Sequence, residues 1–419
     1  MTEDNDPTTA PAPTAGPGLP DGSATAAAEF AGVTADGADG VPATAPTRPG
    51  EGTGPQPRRR VRRWPWVLII AVAVAVAVSS RINLNYYALE PGTAQSVQQF
   101  ITVPPDKSHP VHHPVLLTDV EIGRVTALSY LYFKLQSDTA LEQVEDVTGG
   151  TPPAQLNAQG ALEMSQAESA AKAAALSRLG YTVTATPSGA VIFGVFPGTP
   201  ADGVLNVGDV ITAVDAKPTP TAIDLTHTLA TYHSGETITL TVRKGGTAPP
   251  TPERIALQTT KVQFGPGRTA SLDLGIDTED QVDFTYPFPV SIDVTNIGGP
   301  SAGLAMTLGV IDALDNGSVT GGRTVAATGT IDAEGDVGDV GGVPQKTVAV
   351  ERAGATIFLV PPQEYKNAMS QDRPGLKIYA VSTLDQALAV LAAHGGSVPP
   401  RPVASSASST STTLAGSAG

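Results

Sequence analysis

The chain has 419 residues, no cysteine and a formal net charge of −15. A chain of this length has room for about two or three domains. Without cysteine it has no disulfides, no cysteine-based zinc site and no thiol catalysis. The acidic charge argues against nucleic acid as a partner, since the basic residues cluster only in a short arginine run at 58–63.

Both ends of the chain have compositions that disfavour a packed core. Residues 1–63 are rich in Ala, Pro, Thr, Gly and Asp, and residues 395–419 are rich in Ser, Ala and Thr. Such segments bury too little apolar surface to offset the entropy lost on ordering. We therefore predict two disordered tails, the first of them cytoplasmic.

An uncharged apolar segment, WPWVLIIAVAVAVAVSS, follows the arginines at residues 64–80. As a helix it measures roughly 25 Å, slightly short of a ~30 Å hydrocarbon layer, and flanking arginines and aromatic residues can extend the span. Arginines are concentrated before the segment, which orients the amino terminus towards the cytoplasm. We predict a single-pass transmembrane helix in the cell membrane, with the bulk of the chain outside the cytoplasm. A cleaved signal peptide is the alternative.

Residues 81–162 form an extracytoplasmic region in which we find no motif. Its stretch 115–135 has strand-like Val, Leu and Thr content, followed by a segment that suits a helix. Three histidines, at 109, 112 and 113, raise the question of a metal, but no fourth ligand lies at a suitable spacing. We predict a proline-rich loop there, with no metal and no cofactor.

A compact pattern of strands and turns follows an alanine-rich helix at 163–179, and together they span residues 163–246. Short Val/Ile strands alternate with Gly/Pro/Asp turns, with one helix near 222–232 and a closing strand at 236–243. The unit resembles a PDZ domain of the bacterial protease-associated kind, a small α/β fold with antiparallel strands. The residues that carry this resemblance are Gly194, Val195, Pro200, Ala201, Leu205, Gly208, Asp209, Ile211, Val214 and Asp215.

A PDZ domain binds an extended peptide by adding it to a sheet edge and holding its carboxylate on backbone N–H groups. The resemblance implies a carboxylate-binding loop and a groove lined from the helix side. A second interpretation has the two groove leucines simply packing into the core. The residues concerned are Leu179, Gly180, Tyr181 and Thr182 in the loop, and Leu225 and Leu229 on the helix.

A linker at 247–254 leads to a third region, 255–394, in which strands and helices alternate. We predict strands at 288–297, 323–331 and 356–361, and helices at 300–314, 344–353 and 383–393. The acidic run at 332–339 does not fit the spacing of a twelve-residue calcium loop, so we predict a solvated hairpin. The region is therefore an α/β or α+β domain.

The stretch GGPSAGLAM at 298–306 places Ser301 in the first turn of a helix that begins at Pro300. Free N–H groups and the positive end of the helix dipole stabilise negative charge at this position. The motif alone leaves three interpretations open: a helix cap, a phosphate site or a nucleophile.

A serine nucleophile needs a base, and the six histidines show no triad pattern with Ser301. The stretch GGVPQKT at 341–347 places Lys346 in the first turn of another helix. A helix amino terminus lowers the pKa of a lysine by well under one unit. Burial can supply several units more, giving a neutral amine that accepts the hydroxyl proton.

Together these two stretches resemble the proteolytic domain of Lon, a Ser-Lys endopeptidase. With the PDZ-like unit and the apolar segment, the chain resembles bacterial membrane-anchored PDZ-plus-Lon proteases. The resemblance implies Ser301 as nucleophile, Lys346 as general base and Thr328 as a support for the amine. We predict that the backbone beside Ser301, at Gly299, Pro300 and Ala302, forms the oxyanion hole.

The sequence departs from ATP-dependent Lon in two respects. Gly298 stands where that family has an acidic residue, and no G-x-x-x-x-G-K-[ST] motif occurs. We expect an ATP-independent protease acting on unfolded or PDZ-delivered segments, including C-terminal ones, with a homo-oligomer left open. The alternatives are an inactive PDZ peptide-binding adaptor and a phosphate-binding fold of the small-molecule kinase type.

Overall fold

The computed structural model describes residues 64–233, 235–245, 252–258, 260–261, 272–294, 297–315, 318–371 and 374–400. Its α-helices are α1 (Trp64–Ser79), α2 (Ala127–Leu135), α3 (Val144–Thr148), α4 (Pro153–Arg178), α5 (Ala222–Leu229), α6 (Gly303–Leu314), α7 (Val343–Arg352), α8 (Tyr365–Met369) and α9 (Leu384–Ala393). Short 3₁₀ turns lie at Val97–Phe100, Pro300–Ala302 and Pro362–Glu364.

The strands fall into two six-stranded sheets and three short pairs. In chain order they are β1 (Asn83–Ser96), β2 (Ile101–Thr102), β3 (Val115–Thr126), β4 (Ala140–Gln143), β5 (Thr184–Val195), β6 (Val210–Val214), β7 (Lys217–Pro218), β8 (Thr237–Arg243), β9 (Pro252–Gln258), β10 (Thr260–Lys261), β11 (Leu272–Asp273), β12 (Ile276–Thr285), β13 (Ser291–Ile292), β14 (Val325–Ala327), β15 (Thr330–Ile331), β16 (Val337–Gly338), β17 (Ile357–Val360) and β18 (Lys377–Ala380).

The first sheet has the order β18-β17-β14-β3-β1-β4 and draws its strands from both ends of the described chain. The pairs β18–β17, β17–β14 and β14–β3 are parallel, whereas β1 pairs antiparallel with β3 and β4. From the sequence, residues 81–162 and 255–394 are predicted to be separate regions. In the structure their strands share one sheet.

A hydrophobic core between α4, α6 and this sheet holds the two parts together. Met164, Ala171 and Leu176 of α4 lie in the same buried cluster as Leu304 and Leu308 of α6. The cluster explains the alanine-rich sequence of α4, because small side chains let this 26-residue helix pack closely on its neighbour. The helix starts ten residues before the predicted position.

The second sheet, β12-β5-β6-β8-β9 with β7 paired to β6, contains the predicted PDZ strands and two strands from beyond them, β9 and β12. Its core cluster includes Ile192, Ile211, Leu240 and Leu274, all fully buried. Because β13 pairs with β2 and α4 packs on α6, the PDZ unit is inserted between α4 and β13 of the other domain.

The described helices agree well with the sequence analysis downstream of the PDZ unit. Residues 300–314 form the 3₁₀ turn and α6, while α7 and α9 match the predicted 344–353 and 383–393. The predicted strand 288–297 is reduced to β13, and the predicted strand 323–331 is split into β14 and β15. The linker predicted at 247–254 ends inside β9.

The apolar segment forms α1, a 16-residue helix with no buried residue. No helix in the described part of the chain is both long enough and apolar enough to cross a membrane, so the predicted span at 64–80 is not supported. The predicted tail at 1–63 and residues 401–419 of the second tail lie outside the described residues.

Candidate active site

Ser301 lies in the 3₁₀ turn that leads into α6. The preceding Gly299 has φ of 88°, a conformation that a residue with a Cβ rarely adopts. Its N–H donates to the carbonyl of Gly160 in α4 at 2.8 Å. The glycine pair of the motif thus lets the chain turn tightly against α4 and present Ser301 at the start of the helix.

Lys346 lies in the first turn of α7, as predicted, and its N–H donates to the carbonyl of Gly342 at 3.0 Å. Gly342 has φ of 68°, and a Cβ placed on it would lie 2.6 Å from Cγ2 of Val120 in β3. A glycine is therefore required for α7 to begin this close to β3. The lysine side chain is buried, with 4% of the residue exposed.

Thr328 connects the serine and the lysine. Its hydroxyl donates to the carbonyl of Ser301 at 3.2 Å, and Nζ of Lys346 donates to the same hydroxyl at 3.4 Å. The N–H of Gly329 also donates to the Ser301 carbonyl, at 3.0 Å. Among the described residues no hydrogen bond joins Ser301 to Lys346 directly. Thr328 follows β14, so the central sheet fixes its position between the two motifs.

Burial lowers the pKa of Lys346 to about 8, because the charged ammonium loses its hydration. The carboxylates of Asp119 and, to a smaller extent, Glu364 oppose this by favouring the charged form. A pKa near 8 leaves a useful fraction of neutral amine slightly above neutral pH. Lys346 is thereby suited to act as a general base.

Ser301 and Lys346 line one cavity of about 700 Å³, which we call the Ser301 cavity. The parallel strands β3 and β14 pair with Val115 opposite Val325 and Leu116 opposite Ala326, so the residues of β3 around Thr118 lie level with Thr328. The lining residues are Leu89, Asp119, Val120, Glu121, Ile122, Ile297, Gly298, Gly299, Pro300, Ser301, Asp339, Val340, Gly341, Gly342 and Lys346.

The predicted oxyanion donors need a correction. Pro300 has no N–H to donate, and the N–H of Gly299 is already bonded to Gly160. Of the three positions named from the sequence, Ala302 alone keeps an N–H for this purpose. The N–H of Ser301 itself is the natural second candidate, because it lies in the same turn.

In the PDZ unit, a strand of the chain itself lies along the predicted peptide-binding strand. β12 pairs antiparallel with β5 from Thr184 to Val195, with Thr285 opposite Thr184. The backbone N–H of Ala222, at the start of α5, donates to Asp280 of β12 at 2.7 Å. β12 therefore occupies the position, between β5 and α5, where an added peptide strand would lie.

The predicted PDZ residues surround this strand. Leu225 and Leu229 are buried in the same core cluster as Ile276 of β12, which favours their structural interpretation. Tyr181 of the predicted carboxylate loop packs edge-on against Phe288, just after β12, with 5.0 Å between ring centroids. Leu179, Gly180 and Thr182 lie beside Tyr181 in the segment between α4 and β5.

The histidine-containing stretch at 109–113 and the acidic run at 332–339 both form loops or turns. The N–H of His109 donates to the Ala313 carbonyl, and the acidic run forms a hairpin turn between β15 and β16. Within the described ranges no group of three or more His, Cys, Asp or Glu residues could hold a metal ion.

Sequence reasoning missed Asp119 and Glu121, because residues 81–162 contain no recognisable motif. A signal did exist: both carboxylates interrupt an otherwise apolar strand pattern in VLLTDVEIGRV. In the structure both lie within β3 and line the Ser301 cavity.

Comparison with known proteins matches residues 276–393 to the Lon protease (S16) C-terminal proteolytic domain and residues 177–249 to the PDZ domain family. The chain is 32% identical over 124 residues to a Lon protease of Rickettsia bellii (strain RML369-C), covering 29% of this chain and 16% of that protein. It is 33% identical over 116 residues to Lon protease 2 of Bacillus subtilis (strain 168), covering 27% of this chain and 20% of that protein.

Among solved structures, the PDZ domain of an SdrC-like protein from Listeria innocua is similar, with 20% identity and a TM-score of 0.18. The matched region covers 22% of this chain and 92% of that one. The chain spans only 16% and 20% of the length of the two Lon proteases above. At the level of its domains, the chain carries a PDZ domain and a Lon-type (S16) proteolytic domain.

Proposed function

We propose that this protein is a serine endopeptidase in which Ser301 is the nucleophile and Lys346 the general base. The observation that carries the proposal is the buried Lys346 amine, which lies in the same cavity as Ser301 and is held by Thr328. The similarity to Lon proteases supports the same reaction class.

The chemistry follows from this arrangement. The neutral amine of Lys346 takes the proton of the Ser301 hydroxyl as the oxygen attacks a peptide carbonyl. N–H groups of Ser301 and Ala302 stabilise the oxyanion. The ammonium then returns the proton to the leaving amine, which gives an acyl-enzyme. Water, activated by the same lysine, hydrolyses the ester and restores Ser301.

We propose that the enzyme works without ATP, since the sequence has no Walker-type phosphate loop. Its substrates are then segments that are already unfolded, because the sequence has no phosphate loop that could couple ATP hydrolysis to unfolding. Delivery by the PDZ unit stays a prediction, and it requires either a second binding surface or displacement of β12.

Attachment to a membrane, with the proteolytic domain outside the cytoplasm, also stays a prediction. Two features support it: the arginines at 58–63 precede the apolar segment, and apolar side chains of α1 such as Trp64 and Leu68 are largely exposed. Fractionation of cells that express the full chain and a variant lacking residues 1–80 tests it. Recovery of both proteins in the same soluble fraction would contradict the prediction.

The catalytic proposal is tested with the full chain and an unfolded protein substrate such as casein. Ser301→Ala and Lys346→Ala should each lower kcat/KM by about a thousandfold or more. Lys346→Arg should fail as well, because a guanidinium stays charged and cannot accept the proton. A fluorophosphonate should label Ser301 in the wild type and not in Ser301→Ala.

Retained turnover in Lys346→Arg, with circular dichroism and melting temperature unchanged, would refute the assignment of the base. Absence of both turnover and labelling in a folded wild-type protein would instead favour a peptide-binding adaptor. The adaptor would need a peptide site other than the β5 edge, since β12 already pairs there.

A further inference from the structure

The walls of the Ser301 cavity are acidic on two sides. β3 contributes Asp119 and Glu121, and the loop before α7 contributes Asp339. Among the described residues that line the cavity, Lys346 is the one cationic residue, and it must be neutral to act as the base. The surroundings of the nucleophile are therefore negatively charged under working conditions.

A second cavity, of about 560 Å³, also reaches Pro300, and we call it the α4 groove. It runs between α4, β12 and the turn after β15. Five carboxylates line it, with no lysine or arginine among the lining residues: Glu163, Glu279, Asp280, Asp332 and Glu334.

Within the described part of the chain, none of the five carboxylates of the α4 groove forms an ion pair with a lysine or an arginine. The arginine and lysine ion pairs found there use Asp385, Asp283, Asp209 and Asp138 instead. Arg124, further along β3, lies over the ring of Tyr87, with 5.3 Å to its centroid.

The α4 groove also shows the effect of crowding like charges. Burial raises the pKa of Glu163, and the neighbouring Glu279 raises it further. Burial and, to a smaller extent, the nearby Asp277 also raise the pKa of Glu279. A bound cation would relieve this repulsion, because an opposite charge nearby favours the ionised carboxylate.

Both cavities share Pro300, and Ser301 lies next to it. An extended polypeptide advances about 3.3 Å per residue, so a chain passing Ser301 reaches each cavity within a few residues of the bond that is cut. Apolar residues such as Leu89 and Ile122 also line the Ser301 cavity and offer contact for an uncharged side chain at that bond.

We propose that the substrates are basic polypeptide segments, with lysine or arginine on both sides of the cleaved bond. The carboxylates of the Ser301 cavity select the basic residues on one side, and those of the α4 groove select them on the other. The inference rests on the proposed endopeptidase activity and names its substrate class.

The test uses the full-length protein and quenched fluorescent peptides of one length and one central sequence. Their flanks carry lysine, glutamine or glutamate on both sides. We expect kcat/KM for the lysine peptide to exceed that for the glutamine peptide by roughly tenfold, since several weak ion pairs add. The glutamate peptide should be the poorest. Raising the salt concentration to about 0.5 M should shrink the differences, because it screens the charges.

Charge-neutralising variants show which cavity selects the basic residues on each side of the cleaved bond. Glu121→Gln with Asp339→Asn should remove the preference at one flank, and Glu163→Gln with Glu334→Gln at the other. Asp119 is left intact because it influences the base. Glu142→Gln with Asp146→Asn is the matched control: both residues are exposed and line neither cavity, so the preference should persist.

The same peptides are also bound to the Ser301→Ala variant and followed by fluorescence anisotropy. Equal affinities and equal cleavage rates for the three peptides would overturn the inference and leave the endopeptidase intact. A preference for lysine flanks in binding, without cleavage of any peptide by the wild type, would refute the proposed activity and leave only the selection of basic segments by the two cavities.

Discussion

The Ser301 cavity and the β5 edge of the PDZ unit both resemble sites known to bind polypeptide, but they differ in whether the chain itself occupies them. At Ser301 the chain leaves an open cavity, bounded by β3 and the start of α7. Along β5 it supplies its own strand, β12, in antiparallel register over the whole length of the strand. One site is available to a substrate, and the other is already filled.

The polarity of β12 sharpens the contrast. Its carboxyl-terminal end, Thr285, meets the start of β5, next to the predicted carboxylate loop. A bound C-terminal peptide would run in this direction, but β12 opens the stretch matched to the Lon proteolytic domain, and the chain continues past Phe288 into the rest of that domain. A match to a peptide-binding family therefore identifies the fold of the unit and says little about whether its groove is free.

The largest expected effect comes from loosening β12. Ile276 is 8% exposed and belongs to the PDZ core cluster, so Ile276→Ala should cost about 2–4 kcal/mol in the stability of that unit. Native-state amide exchange at residues 193–195 of β5, which lie opposite the start of β12, measures it as faster opening. Ile223→Ala on α5 is the control, because Ile223 is 67% exposed. Equal exchange rates in the two variants would mean that β12 is not part of the PDZ core.

A second prediction concerns Asp312, on the helix that carries Ser301 at its start. Burial raises the pKa of this carboxyl to about 6, although the N–H of Val319 donates to one of its oxygens. Because the folded-state pKa exceeds the ordinary value of 3.8, the neutral acid stabilises the fold below about pH 4, and this contribution is lost as pH rises through 6.

The difference amounts to at most about 3 kcal/mol, from roughly two pKa units. Asp312→Asn should keep the bond to Val319 and remove this pH dependence between pH 4 and 7 in denaturant unfolding. An unchanged pH profile would show that the carboxyl is more hydrated than its burial indicates. Glu145→Gln, at an exposed position on α3, is the control.

A smaller effect is expected at Gly303, the last glycine of the nucleophile motif. A Cβ there would lie 2.8 Å from the backbone nitrogen of Ile331, which a flexible side chain cannot relieve. Gly303→Ala should therefore shift α6 away from β15, cost about 1–3 kcal/mol and lower kcat/KM about tenfold. Gly123→Ala meets no atom within 4 Å and serves as the control. Full activity in Gly303→Ala would show that the position of Ser301 tolerates movement of the helix.

Local signals predicted the parts of the fold that depend on neighbouring residues. The helices beginning at Pro300 and at Val343–Pro344 are encoded by glycine, proline and apolar periodicity. The place of residues 81–162 in the fold could not be predicted, because β3 pairs with β14 across more than two hundred residues. Strand-like composition does not reveal so distant a partner. The pairing of β12 with β5 was hidden for the same reason.

The smallest effect concerns the two acidic residues that raise the pKa of Lys346, the proposed base. Asp119 and Glu364 both raise the pKa of Lys346, and Asp119 does so more strongly. Since the neutral amine is the active form, kcat/KM should rise with pH through about 8 in the wild type. Asp119→Asn removes a charge that favours the ammonium, so this rise should move to lower pH. Asparagine keeps an oxygen to accept from the N–H of Thr93.

Glu364→Gln should move the rise in the same direction by a smaller amount, because its carboxylate contributes less. Asp146→Asn, on α3 and outside the cavity, should not move it. A rise that stays in place in Asp119→Asn, or moves to higher pH, would mean that a group other than Lys346 titrates in the profile. The Ser301 cavity and the β5 edge would then still differ in access, but the proposed role of Lys346 as the base would lose its support.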